Sequence, residues 1–355
     1  MKANTMWALV KDRPEAGLTL KRVPVPEVHA GEVKIRIRKT AICGTDVHIW
    51  QWNEWAQETI RLGTTAGHEY VGEIVEVGEG VTSCKAGEIV SGEGHIVCGV
   101  CRHCRAGKAH LCRATKGVGV NRDGAFAEYL VIPATNVIHC SPRIPEELYS
   151  VFDPFGNATH TALAFYTLGE DVLITGAGPI GIMAAGIAKF SGARHVVITD
   201  LNDYRLKLAE KFGVVTVNTG REDLKEVMKK LGICEGFDVG MEMSGNKHAL
   251  RQLIDSMANG GKIALLGIQN QNAVELPLNS IIWNGLELKG IYGRKMYETW
   301  YKMTAMVEGG FPLEKIITHR FDIKDYKKGF EAMISGQSGK VILDWTKVSE
   351  IPETV

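Results

Sequence analysis

Four cysteines, Cys98, Cys101, Cys104 and Cys112, follow the pattern C-x2-C-x2-C-x7-C. Four sulfurs at this spacing make a saturated tetrahedral zinc site, which staples a loop and leaves no vacancy for a substrate. The basic neighbours Arg102, His103, Arg105, Lys108 and His110 would soften the charge of such a centre. A nucleic-acid finger would need a histidine pair and a basic recognition helix, which this segment lacks. A second set is spread more widely: Cys43 in A-I-C-G-T-D-V-H, and His68 and Glu69 in G-H-E-Y-V-G. A thiolate, an imidazole and a carboxylate suit zinc, and three protein ligands leave the fourth position open for chemistry. Any one of the three alone reads as an ordinary packed residue.

A third element gives that open site something to react with. Gly176-Ala-Gly178-Pro-Ile-Gly181 matches G-x-G-x-x-G after an apolar run, VLITG, and is answered by Asp200 at the end of the next apolar run. Gly176 would permit the tight turn, Gly178 would let backbone approach a pyrophosphate, and Gly181 would allow close helix–strand packing. The pyrophosphate would lie on amides at the helix N-terminus. A carboxylate at Asp200 accepts from ribose hydroxyls and repels a 2′-phosphate, which favours NAD over NADP. Arg205 works against that preference if it faces the same phosphate, and needs no role if it is a solvated helix residue.

The elements that must hold these residues fall into two kinds. Up to about residue 156 short alternating segments such as EVKIRI (32–37) and VGEIVEV (71–77), punctuated by glycines, predict half-buried strands in a partly closed β-barrel. From about residue 157 to 296, continuous apolar strands alternate with helices, as in βαβ units of a doubly wound parallel sheet. The stretch 297–355 turns mixed again and is expected to rejoin the first domain. Two domains also suit 355 residues.

The bulk composition is even-handed: Lys+Arg and Asp+Glu both number 41. No net field gathers DNA, RNA or anionic lipid, so neither nucleic acid nor membrane is an expected partner. No apolar run reaches the roughly 18 residues of a membrane span. The N-terminal segment lacks a signal-peptide apolar core, so a cytoplasmic setting with reduced thiols is expected. Of the eight cysteines, Cys84, Cys140 and Cys234 carry no expected function.

Over nearly its whole length the sequence resembles the zinc-dependent medium-chain dehydrogenase/reductase family. The residues responsible are C-G-T-D-x-H (43–48), G-H-E-x2-G-x5-G (67–78), the cysteine lobe (98–112) and G-A-G-P-I-G (176–181). The resemblance implies a GroES-like catalytic domain and a Rossmann NAD-binding domain, hence an α/β protein. Longer segments are similar to the threonine-oxidising branch of that family. They are G-E-G-H (92–95), G-V-G-V-N-R (117–122), F-D-P-F-G-N-A-T-H-T-A-L (152–163), the run 291–303 and S-G-Q-S-G-K-V-I-L (335–343).

Carried over residue by residue, the resemblance makes Cys43, His68 and Glu69 ligands of a catalytic zinc and the four cysteines ligands of a structural one. Thr45 and His48 become a proton relay. Asp153 takes a place near the metal where other members often have a Cys or Glu ligand, and because its side chain is shorter than that of Glu it is expected to act through water rather than by direct ligation. Ile180, Asp200 and Arg205 would line the adenosine side of NAD. Leu266, Gly267, Ile268, Ile291 and Tyr292 would flank the nicotinamide. His95, Asn157 and His160, from the threonine-type segments, are candidates for the substrate's amino and carboxylate groups.

The expected reaction is oxidation of the C3 hydroxyl of L-threonine to 2-amino-3-oxobutyrate, with a homotetramer as the implied assembly. The nearest alternative keeps the fold and changes the alcohol to sorbitol, 2,3-butanediol or a simple alcohol, since few side chains decide such pockets. A remoter one is a non-catalytic zinc and nucleotide-binding protein, against which the intact Cys43, His68, Glu69 and Thr45 argue.

Overall fold

The computed structural model describes residues 4–269 and 273–351. The chain divides into two compact units, one of residues 1–153 and 317–355, the other of residues 154–316.

The first unit is mainly antiparallel β. Strand Glu32–Ala41 lies at its centre, pairing with Glu69–Val77, Tyr129–Pro133 and Lys340–Asp344. Its period-two pattern sends Val33, Ile35 and Ile37 into the core. The outward residues pair across strands: Lys34 with Glu76 at 2.6 Å and Arg36 with Glu73 at 3.1 Å, in the register that sets them opposite each other. The core gathers Trp7, Ile35, Tyr70, Phe126, Phe330 and Trp345, and the Trp345 indole donates to Thr40 Oγ1 at 2.9 Å. This is the expected GroES-like architecture.

In the second unit six parallel strands form one sheet. In chain order they are β1 (Asp171–Thr175), β2 (His195–Asp200), β3 (Val215–Asn218), β4 (Phe237–Glu242), β5 (Met257–Leu265) and β6 (Glu287–Gly290), and their spatial order is 3-2-1-4-5-6. That is the doubly wound dinucleotide-binding order, whose reversal beside β1 opens a crevice at the carboxyl ends of the strands. β1 is buried at every residue, as a strand covered on both faces must be.

The chain returns to the first unit at Ile317, so residues 297–316 stay with the second. Packing explains the difference from the expected boundary at 297. Trp300 and Met303 of helix Glu298–Glu308 are buried, and Phe311 stacks on Phe155 with ring centroids 5.1 Å apart. From Ile317, strands Ile317–Asp322 and Lys340–Asp344 complete the first unit's sheet around the crossover helix Tyr326–Ile334. Among the described residues no helix is long and apolar enough to cross a membrane.

Candidate active site

In the first unit, register brings the open set together. Ala41 at the end of the central strand faces Glu69 at the start of its neighbour, which sets Cys43 beside His68. Gly67 adopts φ +89°, and a Cβ there would lie 2.3 Å from the Phe126 ring. Only glycine can therefore precede His68 at this turn. Cys43 caps helix Gly44–Gln51, and Asp46 one turn on accepts its backbone N–H at 2.9 Å.

One ligand atom each of Cys43, His68 and Glu69 fits within 4.8 Å of the others. Thr45 Oγ1 lies 3.8 Å from Cys43 Sγ. His48 is exposed on the same helix, with its Nδ1 3.0 Å from Asn53 Nδ2. Asn53 Oδ1 accepts from Ala56 N, so its amide presents the NH2 group to His48. Asp153 is buried outside the three-ligand cluster, near enough for its charge to act on both His68 and Glu69. His95 also lies in this unit, half-buried, 3.5 Å from Glu93 Oε1.

The electrostatics of this pocket fit a bound cation. Burial alone would lower the His68 pKa, yet the negative charges of Cys43, Asp46 and Asp153 drive it well above its ordinary value. Burial pushes Glu69 up to about 6 against the pull of Lys340 and His68. Asp46 Oδ1 and His68 Nδ1 are buried with no hydrogen-bond partner. Acids thus outnumber cations in a dry pocket, and polar atoms stand unused, an arrangement that a divalent ion would balance.

The cysteine lobe passes the same test by distance. Cys101 and Cys104 sulfurs are 3.5 Å apart, and those of Cys98 and Cys112 3.6 Å. A tetrahedron with Zn–S of about 2.3 Å needs S···S near ~3.8 Å. Backbone N–H donation from Cys98 lowers Cys112 to about 6, and burial pushes Cys104 up to about 12.

In the second unit Gly176 takes φ +97°, with no room for a Cβ, which would lie 2.8 Å from Ser244 Cα. A Cβ on Gly181 would fall 2.0 Å from the Gly176 carbonyl, while one on Gly178 would meet nothing within 4 Å. The backbone is thus tight where the helix meets the strand and open where a pyrophosphate would approach. Gly178 caps helix Pro179–Phe190, whose first amides have no partner within the helix. Asp200 Oδ2 accepts from Ala177 N at 2.7 Å, tying the end of β2 to the turn. Gly176, Gly178, Asp200, Arg205 and Asn246 line one cavity of about 580 Å³. Arg205 Nε is buried there without a hydrogen-bond partner. Ile180 lies outside that lining, half-buried on the helix's first turn.

The other expected cofactor residues sit at the carboxyl ends of β5 and β6. Leu266 and Gly267 donate their amides to the Glu242 carbonyl, and Ile291 N donates to the Leu265 carbonyl at 2.8 Å. Ile268 and Tyr292 are exposed and Ile291 is buried. Of the substrate candidates in this unit, His160 is buried with Nδ1 2.9 Å from the Gly293 carbonyl, and Asn157 Oδ1 is buried without a partner.

Three site residues escaped the sequence reading. Asp46 stood inside the C-G-T-D-x-H motif, and its i+3 spacing from Cys43 was a legible capping signal. Glu242 stood out as a carboxylate in the apolar strand FDVGMEM. Lys340, buried against Glu69, had no local signal.

Comparison with known proteins agrees with this geometry. Residues 29–143 match the alcohol dehydrogenase GroES-like domain, and residues 179–309 match the zinc-binding dehydrogenase domain. The chain is 62% identical over 343 residues to an L-threonine 3-dehydrogenase of Burkholderia vietnamiensis, covering 96% of this chain and 100% of the relative. A crystal structure of a short chain alcohol dehydrogenase from E. coli CFT073, complexed with NADH, aligns with a TM-score of 0.88 at 25% identity, covering 96% of this chain and 99% of that one. The alcohol dehydrogenase TADH of Thermus sp. ATN1 aligns with a TM-score of 0.87 at 26% identity, with the same coverage. With its two zinc-binding sets, its glycine turn and this likeness over almost every residue, the chain belongs to the zinc-dependent medium-chain dehydrogenase/reductase family.

Proposed function

We propose that this chain oxidises the C3 hydroxyl of L-threonine to 2-amino-3-oxobutyrate, with zinc and NAD as its cofactors. The observation that carries the reading is the convergence of Cys43, His68 and Glu69 in a chain 62% identical to L-threonine 3-dehydrogenases. When bound, zinc supplies a Lewis acid for the hydroxyl oxygen and NAD supplies the acceptor for the C3 hydride.

The chain's own residues handle the proton and the orientation. Thr45, beside Cys43, accepts the hydroxyl proton and passes it on, and the exposed His48 releases it to solvent. Asp153 acts on the cluster through its charge and through water, since its carboxylate stands outside the three-ligand set. Asn157 Oδ1, buried and unpaired, is an acceptor suited to an ammonium group, and His95 and His160 complete the proposed substrate contacts.

On the cofactor, Asp200 favours NAD: its carboxylate lines the cavity and would repel a 2′-phosphate. Ile180 and Arg205 serve the adenosine side, and Leu266, Gly267, Ile268, Ile291 and Tyr292 the nicotinamide side. The reading carries two zinc ions per chain, one structural at the cysteine lobe, in a cytoplasmic homotetramer.

The test is NADH formation from L-threonine, sorbitol, 2,3-butanediol and ethanol, with and without a zinc chelator, and with NADP in place of NAD. Chelator-sensitive turnover of L-threonine with NAD is expected. A faster reaction with one of the other alcohols would replace the substrate, and no turnover of any would end the reading.

A further inference from the structure

Glu242, the last residue of β4, is fully buried and has only neutral partners among the described residues. Its Oε1 accepts from Ser244 N at 2.9 Å, Ser244 Oγ at 2.5 Å and Gly245 N at 3.0 Å, and Gln269 Nε2 lies 3.4 Å from Oε2. Its backbone carbonyl accepts from Leu266 N and Gly267 N, both at 3.0 Å. One residue therefore pins two loops, 243–246 after β4 and 266–269 after β5. The loops interlock so closely that glycine is required on both: a Cβ on Gly267 would lie 2.3 Å from Glu242 Oε2, and one on Gly245 2.2 Å from the Ile268 carbonyl. The first loop also abuts the glycine turn, at Gly176 against Ser244.

A purely structural anchor could be neutral. Burying a carboxylate among amide and hydroxyl donors with no Lys or Arg beside it is costly, and such groups persist where their charge is used. Leu266 and Gly267, whose amides Glu242 holds, are read above as flanking the nicotinamide, a ring that is positive when oxidised and neutral when reduced. A fixed negative charge near the ring discriminates between them. We propose that Glu242 is a positioning residue of the dinucleotide site whose buried charge favours binding of the oxidised cofactor over the reduced one. The proposal rests on the dinucleotide reading above.

Calorimetric titration of the zinc-loaded protein with NAD+ and with NADH at pH 8 gives the ratio of their Kd values. Glu242→Gln keeps the shape and removes the charge. Its Kd for NAD+ should rise about tenfold more than its Kd for NADH, a difference of about 1.4 kcal/mol. Equal weakening of both, or no change, would overturn the proposal. Glu242→Asp keeps the charge but draws it back from the loops. It should weaken both cofactors and preserve their ratio, and serves alone if the Gln variant does not fold; loss of the ratio in a folded Asp variant overturns the idea equally. Unmodified protein that bound neither cofactor would remove the dinucleotide reading and the proposal with it.

Discussion

Lys340 Nζ lies 2.9 Å from Glu69 Oε1 and 2.6 Å from Oε2, and donates to the Ile42 carbonyl at 2.7 Å, with both side chains buried. Strand Lys340–Asp344 thus delivers a lysine that balances a carboxylate of the proposed open metal set. Lys340→Met leaves that carboxylate buried and unpaired, which costs about 3 kcal/mol, held down because Glu69 can take up a proton. Calorimetry on metal-stripped protein should show a melting temperature lower by roughly 6–12 °C. An unchanged melting point would mean that the pair adds nothing to stability.

The glycine turn offers two substitutions with opposite signatures. Gly181→Ala would put a methyl 2.0 Å from the Gly176 carbonyl, so the helix must move, at a cost of about 1–3 kcal/mol. Gly178→Ala has φ −65° and open space around it, so the fold should tolerate it within about 1 kcal/mol. The added methyl would stand in the way of the pyrophosphate as proposed, and the Kd for NAD should rise at least about tenfold, or 1.4 kcal/mol. A Gly178→Ala protein that binds NAD normally would contradict the assigned cradle.

Why some of this was legible in the sequence and some was not follows from how far each signal reaches along the chain. The cysteine lobe and the glycine turn are local: a few residues meet across one loop, so spacing alone carries the geometry. The strands of the second unit are equally plain, since burial on both faces leaves unbroken apolar runs. Cys43 and Glu69 meet only through the Ala41–Glu69 register, which no local pattern encodes. Lys340 reaches Glu69 across 271 positions. The boundary at Ile317 depended on Phe311 meeting Phe155, a contact between distant segments.

Cys101→Ser tests the closed set. Removing one of four sulfurs should lower bound zinc by about one ion per chain, measured by mass spectrometry, and reduce the melting temperature. Turnover per folded chain should persist, because a saturated site has no position for substrate. Loss of turnover with full zinc content and an unchanged melting point would transfer the chemistry to this lobe.

His160 sets a pH dependence whose sign can be worked out. Burial lowers its pKa in the folded protein, and the Gly293 carbonyl only partly opposes this. In the unfolded chain the imidazole titrates near its ordinary value of about 6.5. Above that value both states are neutral and His160 has no effect on stability. As pH falls below it, the unfolded chain binds the proton first, so folding is progressively disfavoured until the folded pKa is reached. Between pH 7 and pH 5 the melting temperature should therefore fall, and His160→Gln should flatten that part of the decline while leaving the rest. If the two proteins melt in parallel across this window, His160 is not held neutral in the fold.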